Sequence, residues 1–211
     1  MARIICIANQ KGGVGKTTTA VNLSAALAVS EKKTLLVDCD PQGNATTGMG
    51  FNKSEIEKTL YHGLLGKCAS ADLLLSTDID FLKVIPSRVE LIGFEVEMMS
   101  DPHRNAVLSK MLDDLKADFD YIVLDCPPSL SLLTLNAMTA SDGVLITLQC
   151  EFYALEGLGQ LLQTIKRIKK RLNPGLTIAG ILLTMYDKRT NLSRQVAEDA
   201  EKYFKNLVFK T

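Results

Sequence analysis

The stretch of sequence that decides the fold is Ala8-Asn9-Gln10-Lys11-Gly12-Gly13-Val14-Gly15-Lys16-Thr17-Thr18-Thr19. It follows residues 3–7, a short apolar segment that is typical of a buried strand. After it, small and apolar residues recur at helical spacing as far as residue 28. A glycine-rich loop between a strand and a helix predicts an anion-binding site, because backbone N–H groups turn inward and the helix N-terminus adds the positive end of its dipole.

The two lysines of this loop have different predicted roles. Lys16 is placed to contact the β- and γ-phosphates of a nucleotide, and the hydroxyl of Thr17 is a suitable ligand for Mg²⁺. The usual P-loop spacing requires a glycine at position 10, where this chain has Gln10, and the chain adds Lys11. Two ammonium groups so close together repel each other unless an anion lies between them. We therefore expect Lys11 to point away from its own loop, toward phosphates held elsewhere; the alternative is a glycine-rich turn with exposed lysines.

Three motifs, in order along essentially the whole chain, resemble those of the ParA/MinD ATPases. Residues 11–18 are similar to the deviant Walker A box of that family, and residues 38–46 and 125–129 are similar to its later motifs. The chromosomal ParA (Soj) branch is the most similar. The resemblance implies that Lys11 reaches the nucleotide of a second subunit and that the loop binds ATP. The residues expected to contact ATP are Lys11, Gly12, Gly13, Val14, Gly15, Lys16, Thr17 and Thr18.

Acidic residues end two of the predicted buried strands. Asp38 follows the apolar residues 34–37, and Asp125 follows residues 121–124. In a parallel sheet, ligands bind beyond the carboxyl ends of the strands, so we expect Asp125 in the Mg²⁺ shell and Asp38 supporting that shell through water. Asp40 lies in a stretch that looks like switch I of the family, and we expect it to orient the attacking water. The simpler alternative is that Asp38 and Asp40 only cap the strand end.

Buried strands alternate with helical segments along the chain, which predicts an α/β fold. We expect a P-loop NTPase with a doubly wound, mostly parallel sheet, helices on both faces, and one domain over residues 1–211. Family members continue past this length, so the resemblance implies that the adenine loop and a final helix are lacking. Further elements are predicted as strands over residues 73–75, 81–85, 143–148, 176–184 and 207–209, and as helices over 60–65, 101–115, 130–140 and 155–172.

The composition excludes some classes of protein. The 211 residues are 46% hydrophobic, and 24 basic residues balance 24 acidic ones, so no global charge attracts DNA. The five cysteines are odd in number and lack a C-x-x-C pair, which favours reduced thiols in a cytosolic protein. No signal peptide is evident, and no apolar run approaches the roughly 18 residues that cross a bilayer. We expect a cytoplasmic, nucleoid-associated protein without stable membrane association.

Two basic segments are candidates for DNA contact. Arg189 corresponds to a basic position that contributes to non-specific DNA binding in the Soj branch, and Lys188 can add a phosphate contact. The alternative for Arg189 is an ordinary exposed loop arginine. Residues 166–171 contain five cations near a predicted helix end. They complement the helix dipole, so a solvated helix end and a DNA-binding patch both remain open.

The resemblance implies a complete working cycle. An ATP-bound homodimer binds DNA non-specifically, a ParB-type partner stimulates hydrolysis, and the DNA is then released; Glu151 would lie near the dimer face and touch the partner's nucleotide. A MinD-like membrane-surface ATPase is the main rival, although it needs a C-terminal amphipathic helix. An iron–sulfur carrier on the same fold is disfavoured by the cysteine spacing. A nucleotide-free interaction module is the remaining alternative.

Overall fold

The computed structural model describes residues 1–152 and 154–210. The strands are β1 (Arg3–Ala8), β2 (Thr34–Asp38), β3 (Leu75–Ser76), β4 (Leu82–Ile85), β5 (Tyr121–Asp125), β6 (Gly143–Gln149) and β7 (Thr177–Thr184). The helices are α1 (Lys16–Val29), α2 (Asn44–Gly48), α3 (Leu60–Leu64), α4 (Gly93–Glu97), α5 (Val107–Asp113), α6 (Leu132–Ala140), α7 (Ala154–Arg171) and α8 (Asn191–Phe204). Within these residues the strands form one sheet in the order β3-β4-β2-β5-β1-β6-β7.

The sheet is parallel except for the short edge strand β3, which pairs antiparallel with β4. Strand β5 lies between β1 and β2, and the register sets Asp125 opposite both Ile7 and Asp38. Because neighbouring parallel strands end at the same edge, this pairing brings the glycine-rich loop and both strand-end acids together. The register of three strands therefore builds the candidate site.

Both faces of the sheet are covered, which is why its strands read as continuous apolar runs. One face carries Ile4, Cys6 and Leu124, and it packs against helices that include α5, α6 and α7. The other face carries Ile7 and Val123 and packs mainly against α1. The predicted α/β fold with a doubly wound, mostly parallel sheet is confirmed. Cysteines 6, 39, 126 and 150 are buried free thiols, and no helix among the described residues is long and apolar enough to span a bilayer.

The predicted helix over residues 101–115 is wrong in its first half. Residues 101–106 form successive turns, and the helix begins at Val107. The side chain of Asp101 accepts a hydrogen bond from the N–H of His103 at 2.6 Å, and the Asn136 side chain binds the Arg104 carbonyl at 2.7 Å and the Leu108 N–H at 3.2 Å. These side-chain hydrogen bonds replace the first helical turn, as Asp and Asn commonly do.

Two predicted strands are also wrong. Residues 70–73 form a 3₁₀ turn, so Leu75 is the one residue of the predicted strand over 73–75 that pairs, together with Ser76. Residues 205–207 form another 3₁₀ turn, after which Val208 makes a single parallel bridge to Ile181. Both segments are apolar because they pack on the core, and apolar runs this short do not distinguish a strand from a buried turn.

Helix α4 offers a matched pair of substitutions that tests the packing. Phe94 is fully buried, whereas Val96, two residues on, is 68% exposed. Phe94→Ala should lower the free energy of unfolding by about 3–5 kcal/mol, because it leaves a cavity in the core. Val96→Ala should change it by less than about 0.5 kcal/mol. Urea denaturation of both variants measures this difference, and equal effects would show that α4 does not pack as described.

Candidate functional site

Residues 9–15 form a loop whose shape depends on two glycines. Gly13 and Gly15 have φ values of 74° and 82°, in the left-handed region that glycine adopts most readily. Between them Val14 is buried, and its carbonyl accepts a hydrogen bond from the Thr184 hydroxyl at 3.0 Å. A Cβ at Gly12 would lie 4.0 Å from Pro128, so the loop lies directly beside residues 127–129. The predicted loop is therefore anchored between the end of β7 and the segment after β5.

Asn9 is a site residue that the sequence analysis missed. Its buried side chain donates to the Thr147 carbonyl on β6 at 2.6 Å and accepts from the Lys11 N–H at 3.0 Å. These two contacts fix the point at which the chain leaves β1. A polar residue immediately after a buried strand and before the loop was the available signal.

Lys16 is held inside the loop. Its side chain is buried, and its ammonium group donates to the Lys11 carbonyl at 2.7 Å. Burial lowers the pKa of Lys16, while the negative charge of Asp125 opposes this shift. The ammonium group of Lys16 therefore lies inside the glycine-rich loop, where a bound anion would compensate the cost of burying its charge.

Asp125 lies at the carboxyl end of β5 and is fully buried. Burial, with a further contribution from the charge of Asp38, raises its pKa to about 7. The Thr17 hydroxyl lies close enough to favour the charged form, but neither carboxylate oxygen has a hydrogen-bond partner of ordinary geometry among the described residues. Buried acceptors without donors are rare in native proteins, so these oxygens are suited to a metal ion or its bound water.

Asp38 is buried in a different environment. One carboxylate oxygen accepts from both the backbone N–H and the hydroxyl of Thr46, each at 2.8 Å, and the other accepts from the Asp40 N–H at 3.2 Å. Burial raises its pKa to about 6 despite these bonds. The Thr46 hydroxyl also accepts from the Ser87 N–H at 2.9 Å, which ties this loop to the end of β4. Asp38 thus organises the loop after β2, and Thr46, which the sequence analysis left unassigned, is its main partner.

Asp40 lies at the same edge and is nearly buried. One of its carboxylate oxygens accepts from the Gln42 N–H at 2.9 Å, which closes a tight turn. Its negative charge is close enough to Lys16 to favour the protonated amine. The carboxylate is therefore held in place on the loop, beside the position of the expected phosphates.

Lys11 is placed very differently from Lys16. Its side chain is 49% exposed, and its ammonium group forms an ion pair with Glu151 of the same chain. Glu151 follows the end of β6. Lys11 is therefore half exposed and paired with a carboxylate of its own chain, and its expected contact with phosphates held elsewhere stays a prediction.

The remaining predicted residues lie at the rim or outside this site. Thr17 is half-buried at the start of α1, and Thr18 is exposed. Lys188 and Arg189 are exposed in the loop after β7, and the Arg189 guanidinium makes hydrogen bonds of 2.7–3.2 Å to both carboxylate oxygens of Asp187. This pairing lowers the pKa of Asp187. The positive charge of Arg189 is thus already balanced.

Comparison with known proteins places this site in a family. A family model described as an AAA domain matches residues 2–178. The chromosome partitioning protein ParA of Myxococcus xanthus is 54% identical over 99% of this chain and 74% of its own length. The sporulation initiation inhibitor protein Soj of Bacillus subtilis is 52% identical over 100% of this chain and 83% of its own length.

Solved structures give the same fold. A Mycobacterium smegmatis protein described as cobyrinic acid a,c-diamide synthase, with bound ADP and magnesium, has a TM-score of 0.92 and 40% identity, covering 97% of this chain and 83% of that one. A plasmid partition protein from Borrelia burgdorferi has a TM-score of 0.85 and 29% identity, and the match covers 98% of this chain and 87% of that protein. With the loop, strand-end acids and sheet order described above, these matches show that the chain belongs to the ParA/Soj family of chromosome-partitioning P-loop ATPases.

Proposed function

We propose that this chain is an ATP-hydrolysing switch in chromosome or plasmid partitioning. It dimerises when ATP is bound, binds DNA non-specifically as that dimer, and leaves the DNA after hydrolysis stimulated by a ParB-type partner. The relatives with 54% and 52% identity, both named for partitioning or its Soj branch, support this role over the synthase named for the structure with 40% identity. The cycle places the protein in the cytoplasm and on the nucleoid.

The contrast between the two loop lysines carries the proposal. Lys16 is buried with its amine inside the loop, whereas Lys11 is half exposed and directed outward. A single nucleotide site needs one such lysine on its phosphates. The second lysine gains a function when another subunit brings its phosphates to the outer rim, so the arrangement supports a dimer in which each Lys11 acts on the other subunit's nucleotide.

The site also fits a magnesium–nucleotide complex. Within the described residues, no group of three or more histidine, cysteine, aspartate or glutamate side chains is arranged to hold a metal alone. The Thr17 hydroxyl and the Asp125 carboxylate, the latter through water, would hold Mg²⁺ together with the phosphates of ATP. When bound, the ion would neutralise charge on the β- and γ-phosphates. Lys16 and the backbone N–H groups of the loop then orient the triphosphate.

Hydrolysis requires a water molecule in line with the γ-phosphorus. Attack forms a P–O bond to this water and breaks the bond to the β-phosphate oxygen, which gives ADP and phosphate. The Asp40 carboxylate, fixed by the Gln42 N–H, orients the water and accepts its hydrogen bond. Because Asp38 and Thr46 hold the same loop to β4, hydrolysis and loop position are coupled.

Substitutions of Asp40 and Lys11 should separate the steps of the cycle. With Mg²⁺ and ATP, Asp40→Ala should dimerise and bind DNA while turnover falls about 10²–10⁴-fold, because the water is no longer oriented. Lys11→Ala should weaken dimerisation at least about tenfold, because the phosphates lose a charged partner from across the interface. Light scattering, DNA anisotropy and phosphate release measure the three steps.

Asp40→Asn is the matched control, because its amide oxygen can still accept from the Gln42 N–H and keep the turn. It should dimerise like Asp40→Ala and be equally slow in turnover. Lys11→Ala dimerising as tightly as the wild type would contradict the action of Lys11 between subunits.

Glu151 should resist dimerisation, since Lys11 must leave it to reach the other subunit. Exposed ion pairs contribute about 0.2–1 kcal/mol each. This pair is only partly exposed and two are broken per dimer, so Glu151→Gln should tighten ATP-dependent dimerisation at least about twofold. Sedimentation in the Asp40→Ala background measures this without turnover. Glu151→Asp, which keeps the charge, is the control. A weaker dimer in Glu151→Gln would instead place Glu151 on the partner's nucleotide, which is the contact implied by the family resemblance.

The charged form of the buried Asp125 carboxyl group should destabilise the protein without ligand, although the same form is the one expected to hold the metal's water. Its raised pKa means that its contribution to the free energy of unfolding is complete below about pH 4 and is lost as pH rises through about 7. Without nucleotide, Asp125→Asn should therefore be more stable than the wild type at pH 8, by a few kcal/mol at most, with a smaller difference at pH 5.

Saturating Mg²⁺–ATP should then raise the melting temperature of the wild type far more than that of Asp125→Asn, because only the carboxylate holds the metal's water. Thermal denaturation at both pH values, with and without Mg²⁺–ATP, measures both effects. If Asp125→Asn were less stable than the wild type at pH 8 without ligand, the carboxylate would already be stabilised by groups of the protein, which would contradict its proposed role toward a metal ion.

A further inference from the structure

The turn that carries Asp40 is attached to a later segment of the chain by Lys53, a residue outside the site described above. The Lys53 ammonium group donates a hydrogen bond to the Gln42 carbonyl at 2.7 Å. Gln42 is also the residue whose N–H binds the Asp40 carboxylate at 2.9 Å. The backbone of Gln42 therefore connects the lysine directly to the carboxylate.

The methylene chain of Lys53 lies against Gly43, the last residue of the turn. Gly43 has a φ value of 65°, in the left-handed region that favours glycine. A Cβ at this position would lie 2.7 Å from Cδ of Lys53 and 2.7 Å from the carbonyl oxygen of Ser87. The Gly43 backbone is thus enclosed between the lysine and the segment after β4, and a larger residue would displace one of them.

Lys53 is itself held in place by its neighbours in the chain. It begins a short 3₁₀ turn, which the Asn52 side chain caps by accepting from the Ser54 N–H at 3.2 Å. The buried Ile56 follows, and its carbonyl accepts from the Arg88 guanidinium at 2.7 Å. Because the backbone is held on both sides of Lys53, the ammonium group reaches Gln42 from a fixed position.

The ammonium group of Lys53 has no acidic partner that competes with Gln42. In the part of the chain that the structure describes, Lys53 forms no ion pair, whereas Lys58 of the same segment pairs with Asp72 at 2.9 Å. Lys53 is also half-buried. A hydrogen bond from a charged donor is stronger than one between neutral groups. The contact therefore restrains the Gln42 peptide group effectively.

The turn has room to move if this contact is lost. A cleft of about 310 Å³ lies beside it and is lined by Pro41, Gln42, Lys53, Ser54, Arg88 and Val89. Within the described residues, the other hydrogen bonds of Gln42 stay inside residues 40–44. Lys53 thus provides its one hydrogen bond to a more distant part of the described chain.

We propose that Lys53 is a positioning residue for ATP hydrolysis, which holds the Gln42 peptide group so that Asp40 keeps its orientation toward the attacking water. This proposal rests on the proposed role of Asp40. Without the Lys53 hydrogen bond, the turn shifts into the cleft and the carboxylate moves with it. A misplacement of about 1 Å costs on the order of 10²-fold in rate. Lys53 lies outside the phosphate loop, so nucleotide binding does not depend on it.

The test uses three variants of the full chain. Lys53→Met keeps the methylene stem against Gly43 and removes the ammonium group. Lys53→Arg restores a positively charged donor that can reach the same carbonyl. Lys58→Met is the matched control, because it removes the same charge from an exposed lysine of the same segment. The melting temperature of each variant and its dimerisation with Mg²⁺–ATP verify that it is folded.

Phosphate release is measured against ATP concentration, and binding is measured separately with a fluorescent ATP analogue. Lys53→Met should lower kcat about 10- to 100-fold, because the water is oriented less often. KM and the affinity for the analogue should stay within about twofold, since uniform binding is unchanged. Lys53→Arg should recover kcat to within about threefold, and Lys58→Met should have the kcat of the wild type.

The Asp40→Ala variant tests whether Lys53 acts through Asp40. Single-turnover hydrolysis of radiolabelled ATP measures its slow residual rate. Adding Lys53→Met to Asp40→Ala should lower this rate by less than about twofold, because the carboxylate that Lys53 positions is absent. The same substitution in the wild type should have its full effect, so the two effects are not additive.

The outcomes separate the two proposals. If Asp40→Ala hydrolyses ATP as fast as the wild type, the proposed role of Asp40 fails, and the positioning role fails with it. If Asp40→Ala is slow but Lys53→Met keeps the wild-type kcat, only the role of Lys53 fails. A loss of nucleotide affinity as large as the loss of kcat/KM would also overturn the positioning role, because Lys53 would then act in binding or in folding of the site.

Discussion

The pairing of β5 between β1 and β2 is the constraint on which the rest of the structure depends. It brings the glycine-rich loop, Asp38 and Asp125 to one edge, and it buries both carboxyl groups in doing so. Burial disfavours their charged forms, as their raised pKa values record. Asp38 offsets that cost with three hydrogen bonds, whereas Asp125 does not. One strand-end acid thus braces its loop through hydrogen bonds, and the other has no hydrogen-bond partner of ordinary geometry among the described residues, as its proposed role toward Mg²⁺ requires.

Both lysines of the loop are engaged by groups of their own chain that a phosphate could replace. Lys16 donates to a carbonyl of its own loop, and Lys11 pairs with Glu151. Both contacts are modest in strength, since one is a single hydrogen bond and the other is a partly exposed ion pair. Phosphates can therefore replace them at low cost. The proposed switch requires interactions of this kind, because contacts too strong to exchange would hold the protein in one state.

Much of this organisation followed from local sequence. The glycine-rich loop and the acids at the strand ends depend on neighbouring residues, and the structure shows both. The expected contact of Lys11 with the phosphates of a second subunit stays a prediction. Elements whose state depends on distant contacts were predicted less well. Asn136 on α6 caps the turns at residues 101–106, and Val208 bridges to a strand far away in the chain. The roles of Thr46 and Asn9 were not predicted, because folding brings their partners, Asp38 and Thr147, next to them.

The sequence by itself determined the class of fold, the phosphate loop and the acids beside it, because strand periodicity, glycine spacing and residue type are local properties. Only the tertiary structure decided which charges are balanced. It paired Arg189 with Asp187 and Lys11 with Glu151, and it left the cations at the end of α7 without partners among the described residues. The physical reason is that a charge acts through its distance to other charges, and folding sets those distances.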